Sequence, residues 1–119
     1  DHTIVEGQVH GSLASGLGQA LLELAIYDSE GGQLITGSFM DYAMPRAADM
    51  PVLRDALHPV PATTNPLGVK GVGEAATTAA IATIMIAIAD AIGEAGAAIE
   101  MPATPERVWA ACRSARAAG

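Results

Sequence analysis

One acidic side chain stands out because of the residues that precede it. Glu74 ends the segment Gly71-Val-Gly-Glu, at the close of a stretch rich in glycine and proline and just before an apolar run. By position alone, Glu74 is best explained as a first-turn carboxylate that the helix dipole favours. However, glycine lets a backbone approach a ligand closely, so an acid after such a loop is aimed at whatever binds there. A general base needs that placement, within hydrogen-bond reach of the proton that it removes.

Two glycine patterns resemble nucleotide-binding motifs but lack the residues that the chemistry needs. Gly11–Gly16 has P-loop spacing, yet Leu17-Gly18 stands where Lys-Ser/Thr would meet the phosphates. Gly71–Ala76 imitates the dinucleotide fingerprint, but no apolar strand precedes it, and Glu74 would place negative charge against a pyrophosphate. We therefore interpret neither segment as a nucleotide site.

A histidine and a glutamate near the start of the chain could share a metal ion. Glu6 and His10 are four residues apart, which places them on one face of a helix. A metal site needs at least a third ligand, and nothing in the sequence places His2 or His58 beside this pair. We expect a solvent-facing pair and no metal site.

Hydrophobic periodicity predicts the elements that must position Glu74. Apolar residues recur mostly four apart in the first of them, which predicts one buried helical face. Gly11, Gly16 and Gly18 interrupt this helix, which suggests the close approach of a backbone or ligand. A glycine-containing turn predicts a hairpin. Further along, a threonine in the N-cap position followed by a proline in the first helical position predicts another helix. The predicted elements are a helix over Val5–Leu24 with Val9, Leu13, Leu17, Leu21 and Leu24 on its apolar face, a hairpin with arms Leu24–Tyr27 and Gln33–Thr36 around Asp28–Gly32, an extended segment Val52–His58, a buried helix Ala75–Ile92, and a helix opening at Thr104-Pro105-Glu106 that buries Val108, Trp109 and Cys112.

These elements predict an α+β architecture, with a small antiparallel sheet packed against about three helices in a single unit over residues 1–119. Between them, Pro59–Glu74 carries no helical or strand pattern. A loop of this length inside a compact domain is usually functional.

Composition narrows the class of protein. The formal net charge of −7 excludes a nucleic-acid partner and an anionic membrane surface, which both need basic residues. Ala75–Ala89 is uncharged but shorter than the roughly 20 residues that span a bilayer. Cys112 is the only cysteine, so the chain has no internal disulfide or cysteine-rich metal site, and we see no signal peptide. We expect a cytoplasmic protein whose core, with few aromatic residues, is thin and leaves an apolar surface for a partner.

Five segments, taken in order, resemble the molybdenum-binding subunits of the xanthine oxidase and carbon monoxide dehydrogenase family. The sharpest match is Thr64-Asn-Pro-Leu-Gly-Val-Lys-Gly-Val-Gly-Glu74. The others are Val5-Glu-Gly-Gln-Val-His-Gly11, Gly16-Leu-Gly-Gln-Ala-Leu-Leu-Glu23, Thr36-Gly-Ser-Phe-Met-Asp-Tyr-Ala-Met-Pro45 and Met101-Pro-Ala-Thr-Pro-Glu-Arg-Val-Trp109. Ile4, where purine-hydroxylating relatives carry glutamine, favours the carbon monoxide dehydrogenase branch.

The resemblance implies a site and a cofactor. It implies that Glu74 is the catalytic base of a molybdenum hydroxylase and that Lys70, Gly71, Val72 and Gly73 lie against the cofactor. That cofactor would be a molybdopterin, often in its cytosine dinucleotide form. Electrons would leave through iron–sulfur clusters and flavin on other domains or subunits.

Because subunits of that family are many times longer, the resemblance implies that this chain is the C-terminal portion of one, or a fragment of its molybdopterin-binding domain. We expect it to contribute the base and part of the pocket, to need the rest of the molybdenum subunit as a partner, and to be inactive alone. By itself it should bind no cofactor and should form homo-oligomers. The alternative is a stand-alone dimeric interaction module that has lost the chemistry.

Overall fold

The computed structural model describes residues 1–118 and shows a helical chain. It contains four α-helices and one turn of 3₁₀-helix. They are α1 (His2–Leu21), the 3₁₀ turn (Ala47–Asp49), α2 (Thr77–Ile92), α3 (Glu94–Ala97) and α4 (Pro105–Ala118). The chain between α1 and α2 is irregular apart from the 3₁₀ turn.

The predicted α+β class is wrong, because residues 1–118 contain no strand. The hairpin is reduced to one antiparallel bridge between Tyr27 and Leu34. Its turn forms as predicted, with Gly32 at a φ of 67°. Beyond the bridge the backbone pairing stops, since the amide of Ile26 donates to the Thr36 hydroxyl at 2.9 Å. Tyr27 and Leu34 are both exposed, so nothing packs on the hairpin to extend it, and a lone two-stranded ribbon is marginal in water.

The predicted strand at Val52–His58 also has no partner strand within residues 1–118. Val52 is 93% exposed. Prolines at positions 51 and 59 flank the segment and remove two backbone donors that a ladder would use. The segment therefore crosses the surface as extended but unpaired chain.

Helix α1 begins and ends three residues earlier than the predicted Val5–Leu24, which leaves Leu24 outside it, and it buries a different face. It begins at His2 because the carboxylate of Asp1 caps it, accepting from the amide of Thr3 at 2.9 Å. Its five predicted apolar residues are only half-buried. The buried residues are small ones, namely Ser12, Gly16, Gly18 and Ala20.

The small residues of α1 allow α2 to approach closely. A Cβ atom added at Gly16 would lie 2.5 Å from the Cβ of Ala80, so only glycine fits there. The predicted close approach of a backbone is thus confirmed at Gly16, whereas a Cβ at Gly11 would meet no atom. Because the contact uses small side chains, the two helices bury little apolar area where they meet.

Helix α2 exists as predicted but is not buried. Ala80 is its only buried residue, and Ile86 is 68% exposed. The sequence suggested burial because the helix is apolar on every side, yet residues 1–118 cover only one of those sides. No helix within this described part of the chain has the length and apolar composition to cross a bilayer.

The C-terminal helices complete the fold. Gly93, at a φ of 76°, ends α2 and opens α3. Thr104 caps α4 as predicted, accepting from the amide of Arg107 at 3.4 Å. The predicted buried face of α4 is wrong: Val108 and Cys112 are only half-buried, and Trp109 is 60% exposed, with the guanidinium of Arg113 over its ring at 4.9 Å. Ala111 of the same helix is buried.

Candidate functional site

The loop that leads to Glu74 is held by its own hydrogen bonds. Asn65 pairs with Val69 twice: its amide nitrogen donates to the Val69 carbonyl at 3.0 Å, and its amide oxygen accepts from the Val69 amide at 3.1 Å. Gly68, at a φ of 64°, accepts from the amide of Ala62 at 3.0 Å. A side chain at position 68 would strike Pro61. The loop without secondary structure predicted here is confirmed, and these contacts give it a defined path.

Glu74 itself lies in a turn before α2, outside the first turn of the helix. The turn spans residues 73–76, Ala76 is the N-cap, and α2 has no acidic residue in its first turn. The Glu74 side chain is exposed. Its backbone carbonyl accepts from the amide of Thr78 at 3.2 Å and from the Thr78 hydroxyl at 2.9 Å. The backbone of Glu74 is therefore anchored to the helix while its carboxylate remains open to the surface.

The turn is also fastened to α1 by two side-chain hydrogen bonds. The Ser12 hydroxyl donates to the carbonyl of Gly73 at 2.6 Å. A second bond has its donor on α2 and its acceptor on α1: the Thr77 hydroxyl donates to the carbonyl of Ser12 at 3.0 Å. Ser12 is 5% exposed and Gly73 is exposed, so the bond between them is part-buried. The peptide that joins Gly73 to Glu74 therefore has a fixed position relative to α1.

A polar groove of about 400 Å³ runs between α1 and this turn. Glu74 and Gly73 form one side of it, and α1 forms the other. The groove is lined by Gly7, Gln8, Gly11, Ser12, Ser15, Gln19, Gly73, Glu74 and Thr77. This set contains one ionisable group, Glu74, among amides, hydroxyls and bare backbone.

The five residues predicted for the site do not share one groove. Gly73 and Glu74 line the polar groove, whereas Lys70, Gly71 and Val72 line a second groove of about 560 Å³. That groove is bordered by the loop around His58 and Leu67 and is mostly apolar. A Cβ on Gly71 would meet no atom, so the backbone there is open.

The polar residues on the α1 side of the groove were not predicted, although the glycines of this helix indicated the close approach of a backbone or ligand. Gln8, Ser12, Ser15 and Gln19 are spaced four, three and four residues apart, which puts them on one helical face. This polar stripe was the available signal.

The Glu6 and His10 pair gains a neighbour that the sequence did not indicate. Asp55 joins them, and ligand atoms of the three lie within 4.8 Å of one another. The Nε2 atom of His10 is enclosed without a hydrogen-bond partner, 4.0 Å from a carboxylate oxygen of Asp55. Ligands held about 2.0–2.2 Å from one zinc ion would lie closer together, at roughly 3.4 Å. Because Glu6 and Asp55 are also exposed, we assign no metal to this cluster.

A second carboxylate contact lies at the other end of α1. The Tyr42 hydroxyl donates to a carboxylate oxygen of Glu23 at 2.6 Å. This hydrogen bond raises the pKa of Tyr42 above its usual value of 10.0, and partial burial and the Glu23 charge act in the same direction. The pair fixes the irregular segment after α1 against the end of that helix.

Comparison with known proteins places this arrangement in a family. The model of the molybdopterin cofactor-binding domain matches residues 1–51. The gamma subunit of the 6-hydroxypseudooxynicotine dehydrogenase complex of Paenarthrobacter nicotinovorans is 43% identical over 112 residues, which cover 90% of this chain and 14% of that protein. The carbon monoxide dehydrogenase large chain of Hydrogenophaga pseudoflava is 35% identical over 107 residues, covering 89% of this chain and 13% of that protein.

Solved structures agree with the sequence comparison. The crystal structure of quinoline 2-oxidoreductase from Pseudomonas putida 86 superposes with a TM-score of 0.85 at 40% identity, covering 95% of this chain and 14% of that one. The chain thus spans about one seventh of the length of these relatives. The resemblance seen in the five segments is confirmed. The chain belongs to the family of molybdenum-binding subunits that includes the carbon monoxide dehydrogenase large chain and the xanthine dehydrogenase molybdenum-binding subunit.

Proposed function

We propose that this chain forms one wall of the molybdopterin pocket of a molybdenum hydroxylase and carries its general base, Glu74. The observation that supports this most is the polar groove, in which a single carboxylate faces a helix whose backbone is open. We propose that this chain forms part of a longer molybdenum subunit. We call that longer protein the assembled subunit.

The α1 side of the groove fits a pterin group. A Cβ built on Gly7 or Gly11 would meet no atom of the chain, so a flat ligand can lie directly on the helix backbone. Gln8 and Gln19 offer amide donors and acceptors, and Ser15 offers a hydroxyl. These groups match the mixed donors and acceptors at the edge of a pterin ring. We assign Gly7, Gly11 and the glutamines to the cofactor wall.

The loop side supplies the remaining contacts. Gly73 lines the polar groove, and Lys70, Gly71 and Val72 continue the same loop into the neighbouring groove. We propose that these four residues border the cofactor, with Lys70 contributing positive charge where the cofactor carries phosphate. The cytosine dinucleotide form of molybdopterin, which has a second phosphate, is part of this proposal.

Glu74 acts as the proton acceptor. Its exposed carboxylate can reach a proton on a group bound in the groove. Because hydrogen bonds hold the backbone before and after Glu74, the carboxylate can reach only a limited set of positions. When bound, the molybdopterin group supplies the redox chemistry of molybdenum. We propose that iron–sulfur and flavin partners receive the electrons, and that the reaction is a hydroxylation of the carbon monoxide dehydrogenase type.

Filling the groove tests the cofactor wall. We expect Gly11→Leu in the assembled subunit to lower the molybdenum and pterin content, because the new side chain projects into space that the cofactor needs. The helix itself should not weaken, since leucine is a better helix former than glycine by roughly 0.8 kcal/mol.

Elemental analysis of the purified subunit provides the measurement, and circular dichroism checks the helix. Thr3→Ala is the control, because it changes helix propensity in α1 at a residue that does not line the groove. A Gly11→Leu subunit with its full complement of molybdenum would contradict the proposed wall.

A further inference from the structure

We propose that Ser12 is a positioning residue for Glu74, acting through the peptide that joins Gly73 to Glu74. This inference rests on the proposed function and adds to it a residue that never touches the reacting groups. Its basis is the 2.6 Å hydrogen bond from the buried Ser12 hydroxyl to the Gly73 carbonyl.

The bond acts on the part of the chain that most needs restraint. Gly71 and Gly73 precede Glu74, and glycine has the widest choice of backbone angles. The Gly73 carbonyl belongs to the rigid peptide plane that ends at the Cα atom of Glu74. Holding that oxygen therefore holds the Cα atom from which the catalytic carboxylate extends. On the other side, Thr78 holds the Glu74 carbonyl, so both peptides of Glu74 are restrained.

Helix packing explains why Ser12 can reach the loop. One turn further along α1, Gly16 meets Ala80 so closely that no Cβ fits between them. That contact draws the two backbones together. The reciprocal bond from Thr77 to the Ser12 carbonyl then sets the register between α1 and the start of α2. Ser12 is thus placed beside Gly73 by two contacts that do not involve its own hydroxyl.

The chain offers a control in Thr3. This residue lies on the same helix and is exposed, but it does not line the groove. Ser12→Ala and Thr3→Ala each remove one hydroxyl group from α1. Only the first removes the hydrogen bond to Gly73. Ser12→Thr keeps the hydroxyl and serves as the rescue variant.

The experiment uses the assembled subunit with its cofactor and measures two quantities. The first is hydrogen exchange in residues 70–79, where the amides of Ala75 and Thr78 bond within the turn. We expect Ser12→Ala to raise exchange there about fivefold or more, which corresponds to one buried hydrogen bond. The second is steady-state turnover. We expect kcat to fall about 10- to 100-fold with KM nearly unchanged, because a displaced base slows the chemical step without weakening substrate binding.

Ser12→Thr should keep both quantities near their original values, and Thr3→Ala should change neither. Unchanged exchange and unchanged kcat in Ser12→Ala would overturn the inference, as would an equal effect of Thr3→Ala. Glu74→Gln, measured in parallel, separates the two proposals. If Glu74→Gln abolishes turnover and Ser12→Ala leaves it intact, only the positioning role is wrong. If Glu74→Gln retains turnover, the base itself is wrong, and faster exchange in Ser12→Ala would then support a purely structural bond.

Discussion

At the scale of single residues, the carboxylates of Glu74 and Glu23 have different surroundings. Glu74 is exposed and faces the polar groove, whereas Glu23 accepts a hydrogen bond from Tyr42. The second contact links stability to pH. Because the folded state raises the pKa of Tyr42, the phenol keeps its proton in the folded state at pH values where the unfolded chain releases it.

We expect the stabilisation from Tyr42 to be complete below the unfolded pKa of about 10 and to be lost as pH rises through the higher folded value. Tyr42→Phe removes the titrating group, so its melting temperature should fall less steeply above about pH 9 than that of the unaltered protein. Thermal unfolding across this range measures the difference. A Tyr42→Phe slope identical to that of the unaltered protein would contradict the link.

The sequence indicated Glu74 but not Ser12. A glycine-rich loop that ends in one acid is a local signal, and it can be read without knowing the fold. Ser12 acts on a carbonyl 61 residues away, and nothing near it in the sequence identifies that partner. The same holds for Asp55 beside His10. The residues that we propose for the site were predictable where the proposed role depends on neighbours in the chain.

At the scale of elements, the α1–α2 contact depends on small residues. Gly16 and Ala80 meet at a distance that excludes any larger pair. Glycine in a helix costs roughly 1 kcal/mol relative to alanine, so Gly16 is kept at some expense to the helix. The close approach offsets this cost by bringing Ser12 and Thr77 into hydrogen-bond reach.

We expect Gly16→Ala to lower the free energy of unfolding by up to about 2 kcal/mol, because overpacking costs about 1–3 kcal/mol and the gain in helix propensity is roughly 1 kcal/mol. Denaturant unfolding measures the change. Gly7→Ala is the matched control: its Cβ would meet no atom, so the same substitution should be neutral or stabilising. The double variant Gly16→Ala with Ala80→Gly should recover stability relative to the single variant, and its failure to do so would show that this contact does not set the packing.

Helix ends were predictable from the sequence, whereas the sheet was not. Thr104 and Pro105 identify the start of α4 by local capping rules, and the structure follows them. The hairpin also has the correct local turn, at Gly32. A sheet, however, needs further strands and a packed face, and residues 1–118 supply neither. Local patterns predict a turn but cannot reveal that its neighbours are absent.

At the scale of the whole molecule, the chain has too little core for its size. Its radius of gyration is 18.2 Å, whereas a compact domain of this length would have about 13.5 Å. The buried hydrophobic residues within the described chain are all alanines, and many larger apolar side chains are exposed. Exposed apolar surface of this kind indicates contact with other protein. We propose that the rest of the molybdenum subunit covers it; a stand-alone dimer would also cover apolar surface, but it leaves the polar groove unexplained.

The most direct test of the central claim is the effect of Glu74→Gln on the assembled subunit. Glutamine keeps the shape and the hydrogen-bonding reach of the side chain but cannot accept the proton. We predict that turnover falls by at least about two orders of magnitude, the usual effect of losing a general base. The molybdenum content and the melting temperature should stay near their original values, because the Glu74 carboxylate is exposed and its backbone contacts remain. Glu106→Gln, which changes an exposed acid in the first turn of α4, should leave turnover intact. A Glu74→Gln enzyme that retains most of its activity with full cofactor would contradict the account.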